Sequence, residues 1–176
     1  MQVGPGNWSD MIMAIEPVLA NLRQELQTIS EGSTRQFEEE FAPVHVEWHS
    51  SDNNLGRGTF QGDFIGFLSF HHEVVLAHQA MRTKNGEPVE DEMRRPRPPY
   101  RDSIDTITDP ENFSNALEGW HNRVHMNPIY PEDFMDPAVN IFLPLFWQFH
   151  TFIDNKFMAW LNNNNIQYDD VDHTVV

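Results

Sequence analysis

Six of the nine histidines in this chain fall into two sets of the same shape. His45 and His49 form a His-x-x-x-His pair followed 22 residues later by His71, and His121 and His125 form a second pair followed 25 residues later by His150. On a helix, side chains at i and i+4 leave one face with Cβ atoms roughly 6 Å apart, so each pair can share an ion. A third histidine on a facing helix would complete each set. Imidazole suits copper, zinc, iron and nickel, whereas di-iron bundles rely on added Glu ligands. Three imidazoles with an open fourth position also describe a zinc hydrolase. Two such sets in one small chain favour redox chemistry, because six neutral nitrogens can hold a pair of copper ions that bind dioxygen between them.

The segments around the second set sharpen this reading. Leu117-Glu118-Gly119-Trp120-His121-Asn122-Arg123-Val124-His125 resembles the H-N-x-V-H segment of type-3 copper proteins, the tyrosinases, catechol oxidases and hemocyanins. Pro144-Leu145-Phe146-Trp147-Gln148-Phe149-His150-Thr151-Phe152-Ile153-Asp154, with Phe157 and Trp160 beyond it, is similar to that family's D-P-x-F-W-x-H-H-x-x-V-D-x-x-W-x-x-W stretch. The resemblance implies that His121, His125 and His150 ligate the second copper. For the first copper, Phe67-Leu68-Ser69-Phe70-His71 is similar to the tyrosinase F-L-P-W-H segment, with His72 where an arginine commonly follows. Tyrosinases place another ligand nine residues before that histidine, where this chain has Gly62. His45 and His49 supply two ligands instead, an arrangement more like that of arthropod hemocyanin. If His71 is not a direct ligand, His72 or His78 can take the third position.

Other positions depart from the family pattern. Phe149-His150 stands for the doubled histidine, and Leu143 replaces the Asp before Pro, with Asp136-Pro137 earlier as a partial substitute. No cysteine is present, so the thioether crosslink of some members cannot form. The implied function is a dinuclear copper oxidase or monooxygenase that activates dioxygen as a bridging peroxide, to hydroxylate phenols or oxidise catechols or o-aminophenols to quinones. Asn122 and Glu118, with Glu111 as the alternative carboxylate, match by position the residues the family is proposed to use to hold a phenol-deprotonating water. Asp154, one turn after His150, reads either as a buried hydrogen-bonding anchor or as a solvated carboxylate. Two alternatives stay open: a hemocyanin-like dioxygen binder without turnover, and a mononuclear copper or zinc protein that uses only the second set.

The elements that must position these residues read as helices. The 176 residues are most economically one domain, mainly α, with a four-helix-bundle core holding a dinuclear metal site, long loops and little strand. Ser9 caps an amphipathic pattern that ends near Ser30. Glu38-Glu39-Glu40 leads through Phe41 and Pro43 into the first pair, and residues 50–62 are turn-rich. A helix from Asp63 to about Met81 carries His71, His72 and His78. Residues 83–112, with Pro88, Pro96, Pro98, Pro99 and the Arg94-Arg95-Pro96-Arg97 patch, read as a long surface loop. Helices near 112–126 and 139–161 carry the second set, 126–140 is a loop, 162–176 is a flexible tail, and His173 within it is solvent-exposed. Aromatic residues such as Phe67, Phe70, Phe146, Trp147, Phe152 and Phe157 pack the core.

A formal net charge of −16 argues against nucleic acid as partner, since phosphate binding needs basic patches. No stretch reaches the roughly 18 apolar residues of a membrane span, and no signal peptide is visible at Met1 to Trp8, which favours a cytoplasmic location. The expected partners are dioxygen and a small phenolic or aminophenolic substrate, with two copper ions per chain as cofactor. Exposed aromatic residues leave homo-oligomerisation open.

Overall fold

The computed structural model describes residues 32–50 and 64–168, with the backbone alone at 47–50, 64–67 and 70. Four helices carry it: α1 (Thr34–Ser50), α2 (Phe64–Lys84), α3 (Pro110–His125) and α4 (Pro144–Asn163), joined by short 3-10 turns at Asp102–Thr106, Glu132–Met135 and Asn140–Phe142. No strand occurs among the described residues, in keeping with the mainly α expectation. The amphipathic helix expected before residue 31 and the turn-rich stretch lie outside the described residues, the latter beyond Ser50. So does His173.

Ser33 starts α1, its Oγ accepting from the Gln36 amide at 3.0 Å, which satisfies one of the unpaired donors of a helix N-terminus. Phe37, Phe41 and His45 then recur every fourth residue and are all buried. This is the stripe expected of a helix with one inward face. Pro43 sits inside α1 rather than before it, on the exposed side, so the donor it lacks leaves only a solvent-facing carbonyl without its helical partner.

In α2 Leu68, His71, Val74, Val75, His78 and Met81 form the buried stripe, with Ser69 buried beside it. The helix runs one turn beyond the expected end and stops at Asn85-Gly86. Gly86 has φ +71°, while Glu87 N–H donates to the Arg82 carbonyl at 2.8 Å and Gly86 N–H to that of Thr83 at 3.1 Å. This is a Schellman closure, whose left-handed residue glycine adopts without a Cβ penalty. Asn85 Nδ2 also reaches the Met81 carbonyl at 2.8 Å.

The segment between α2 and α3 is pinned, not loose. Met93 and Ile104 are buried, the Met93 amide donates to the Gln148 carbonyl at 2.9 Å, and Trp120 Nε1 donates to the Pro98 carbonyl at 3.0 Å. Asp109 caps α3 by accepting from the Asn112 amide at 2.8 Å, and Pro110 at the first helical position loses no needed bond. Phe113, Leu117, Trp120, His121 and Val124 form the inward stripe of α3.

The helix expected over 139–161 divides in two, a 3-10 turn at Asn140–Phe142 and α4 from Pro144. Pro144 disfavours helical geometry in the residue before it, and Leu143 is extended at φ −89°, ψ 129°. The expected tail from 162 also begins later. Helix α4 closes with Asn165 at φ +56° and Ile166 N–H donating to the Leu161 carbonyl at 2.9 Å. Tyr168 then donates its hydroxyl to the Ser69 carbonyl at 3.0 Å. Residues from 169 on lie outside the described residues.

Helix α2 packs against α4, α1 and α3. Rings dominate the shared core: Phe113 stacks on Trp160 at 4.3 Å, and Trp120 meets Phe149 edge to face at 5.6 Å. This places the inward histidines of all four helices on one another.

Candidate metal centre

Helix α3 brings His121 and His125 to one face, and α4 sets His150 opposite them. One ligand nitrogen from each of the three lies within 4.8 Å of the others. The Nε2 atoms of His125 and His150 are 3.2 Å apart. Two bare lone pairs would repel at that distance, so a proton or a cation must lie between them. From the other side, His71 on α2 stacks on His150 at 4.5 Å, and His45 on α1 meets His71 edge-on at 5.8 Å. The structure thus gathers five of the six expected ligands, one or two from every helix. His49 lies one turn after His45, and its side chain is outside the described residues.

Ring orientation is set by oxygens. His45 Nδ1–H donates to the Pro137 carbonyl at 3.0 Å, and His125 Nδ1–H to the Phe134 carbonyl at 2.8 Å. His121 Nδ1 pairs with Asn122 Oδ1 at 3.0 Å. A neutral imidazole that donates through Nδ1 keeps Nε2 as its lone-pair nitrogen, and this outer bond fixes both tautomer and aim in metal-binding histidines. Burial holds the pKa of His150 well below the usual histidine value, and the neighbouring His71, His121, His125 and His45 push it the same way. His150 is therefore neutral near pH 7, as a ligand must be. Buried neutral imidazoles with oriented nitrogens fit a soft to borderline transition metal better than a hard cation, which prefers oxygen.

A cavity of about 340 Å³ opens over the cluster, lined by His45, His121, His125 and His150, by Asn122, Asn140, Pro137 and Phe146, and by Met126 and Met135. Asn122, expected to act on substrate, stands in this wall. Glu118 is buried one turn earlier and is not part of the wall. It precedes His121 by three residues, the Glu-x-x-His spacing of di-iron bundles, yet its carboxylate is not in the cluster of close ligand atoms.

His72 and His78, the alternatives for the first set, have other partners. His72 Nδ1 donates to both carboxylate oxygens of Asp154, at 2.9 and 3.0 Å, so Asp154 is a buried anchor that ties α4 to α2. His78 Nε2 donates to Glu38 at 3.0 Å and its ring lies flat on Trp147 at 3.6 Å. What sequence reasoning missed is the part played by the segment after α3. Its Phe134 and Pro137 carbonyls orient His125 and His45, and Met126, Met135 and Asn140 border the cavity. Only Asp136-Pro137 gave a signal there.

Comparison with protein-family models, with curated proteins and with solved structures finds no match in any of the three. The functional reading therefore rests on the residues and their geometry.

Proposed function

We propose that this chain is a dinuclear copper oxidase that takes electrons from small phenols, catechols or o-aminophenols and passes them to dioxygen. The observation that carries the reading is the convergence of five imidazoles from four helices beneath one cavity, four of them buried and His125 partly so, three of them with Nδ1 bonded to an oxygen of the protein. Copper bound there would supply reversible one-electron redox at each metal and affinity for dioxygen. His121, His125 and His150 hold one ion. His45 and His71, with His49, hold the other.

The remaining residues bind, orient and dry the site. Phe146 stacks on His150 at 4.1 Å and Phe149 on His121 at 5.5 Å, a ring shell that excludes water and keeps the imidazoles neutral. Asn122 fixes the tautomer of His121. At the cavity wall it also stands beside an incoming hydroxyl, with Glu118 buried one turn back, behind the wall, as the carboxylate that would take the phenol proton through a water held with Asn122. Two catechols release four electrons and four protons, which convert one dioxygen to two waters. A cavity that opens past half-exposed side chains favours turnover over a sealed dioxygen carrier.

A mononuclear reading rests on the second set alone, each of whose three members brings a ligand atom within 4.8 Å of the others. The deciding experiment loads the protein with copper and measures metal content, the EPR signal after air oxidation, and catechol turnover. Two coppers per chain, a silent EPR spectrum from coupled Cu(II) ions, and quinone formation are expected. One metal with an ordinary Cu(II) signal would overturn the dinuclear proposal.

A further inference from the structure

We infer that Met126 and Met135 form an uptake site for Cu(I) at the mouth of the cavity, from which the ion passes to His125 and its partners. This rests on the copper reading above. Methionine is among the residues most often buried, and Met81 and Met93 follow that rule at 3% and 7% exposure. Met126 and Met135 break it, at 59% and 52%. Both nevertheless line the same cavity as His45, His121, His125 and His150.

Their places in the chain tie them to one ligand. Met126 is the C-cap of α3, directly after His125. Met135 follows Phe134, whose carbonyl holds His125 Nδ1 at 2.8 Å. Each methionine thus directly follows one of the two residues whose bond aims His125. Thioether sulfur is a soft, neutral ligand that selects Cu(I) over Zn(II), so it can take the reduced ion without releasing a proton. The histidines beneath are buried, and an ion must cross the mouth to reach them. No Lys or Arg lines that path, while Glu132, Asp133 and Asp136 are exposed on the same segment and raise the local concentration of cations. Transfer exchanges a sulfur–copper bond for a nitrogen–copper bond, and no electron moves.

The test uses the full chain with 13C-methyl methionine, the two signals assigned from M126L and M135L, and Ag(I) as a redox-inert stand-in for Cu(I). Ag(I) is expected to shift the Met126 and Met135 methyls, and Zn(II) to leave them in place. In the M126L/M135L double variant, which keeps apolar bulk, transfer of Cu(I) from a bathocuproine disulfonate complex should slow roughly tenfold with final copper content unchanged. Methyl signals unmoved by Ag(I), or wild-type loading in the double variant, would overturn the uptake site while leaving the copper centre standing. A wild-type chain that takes no copper into its histidines would overturn both.

Discussion

His121, His125 and His150 come from helices joined by a segment that also orients His125, whereas His45 and His71 come from the other two helices and His45 takes its orientation from that same segment. His125 takes its bond from Phe134 within that segment, and His45 takes its bond from Pro137 in the same segment, 92 residues away in sequence. The two sets therefore match in spacing but differ in dependence. The second is organised by contacts local to its own half of the chain. The first draws on α1 and α2 together with a carbonyl of that half, and His150 is one of the places where the halves touch, through its stack on His71.

The largest effect that tests this asymmetry is expected from His150→Ala. Removing it deletes a ligand of the second set and the ring that supports His71, so copper retained after dialysis should fall below one per chain. The affinity lost should exceed the 10–100-fold typical of removing an outer partner. His45→Ala should cost one copper and leave the second set loaded. Metal analysis of both variants, with circular dichroism to verify helix content, measures the difference. Two coppers retained in His45→Ala would remove the first set from the site and leave a mononuclear centre.

A smaller effect is expected where the halves are bolted together. Asp154 on α4 accepts from His72 on α2, and both are largely buried. Asp154→Ala should lower unfolding free energy by about 2 kcal/mol, the range for a hydrogen bond to a charged group. It should leave copper content unchanged, because neither residue is a ligand. Urea unfolding and metal analysis on the same preparation test this. A loss of copper without a loss of stability would return His72 to the first set.

The same asymmetry explains what could be read from the sequence. The second set sits in two segments whose apolar spacing, capping residue Asp109 and initial Pro110 all point to helix, so His121, His125 and His150 were legible together. The first pair was legible as a pair only, since nothing in Val44 to His49 indicates that the ring of His45 is turned by a carbonyl at Pro137. Helix ends missed by a few residues follow local chemistry that the periodicity of buried residues does not carry. Asn85-Gly86 extends α2 to a left-handed closure, and Pro144 delays α4. The segment between α2 and α3 runs over the surface as its proline and arginine content indicates, and that same content hides the anchors, Met93 and Ile104, that pin it.

That segment also packs on the second half, and its contribution there gives the smallest prediction. Tyr100 packs edge-on against Trp120, the neighbour of His121, at 4.8 Å and against Phe152 at 5.4 Å. Its hydroxyl donates to Asp105 at 2.7 Å, and Lys156 reaches the same carboxylate at 3.4 Å. Burial, the bond to Asp105 and the charges of Asp105 and Asp102 all raise its pKa above the ordinary tyrosine value. A group whose folded pKa is raised gives stability that is complete below the unfolded value, about 10, and lost as pH rises past it. The unfolded chain releases the proton there while the folded chain keeps it. Tyr100→Phe should therefore cost about 1 kcal/mol at pH 8, the worth of one hydrogen bond. That deficit should shrink by about 1 kcal/mol between pH 10 and 11, less than the full 1.4 kcal/mol per unit because the ring keeps some solvent contact. Denaturant midpoints of the pair measured from pH 8 to 11 provide the check, and a pH-independent gap would mean that the hydroxyl of Tyr100 does not hold the segment.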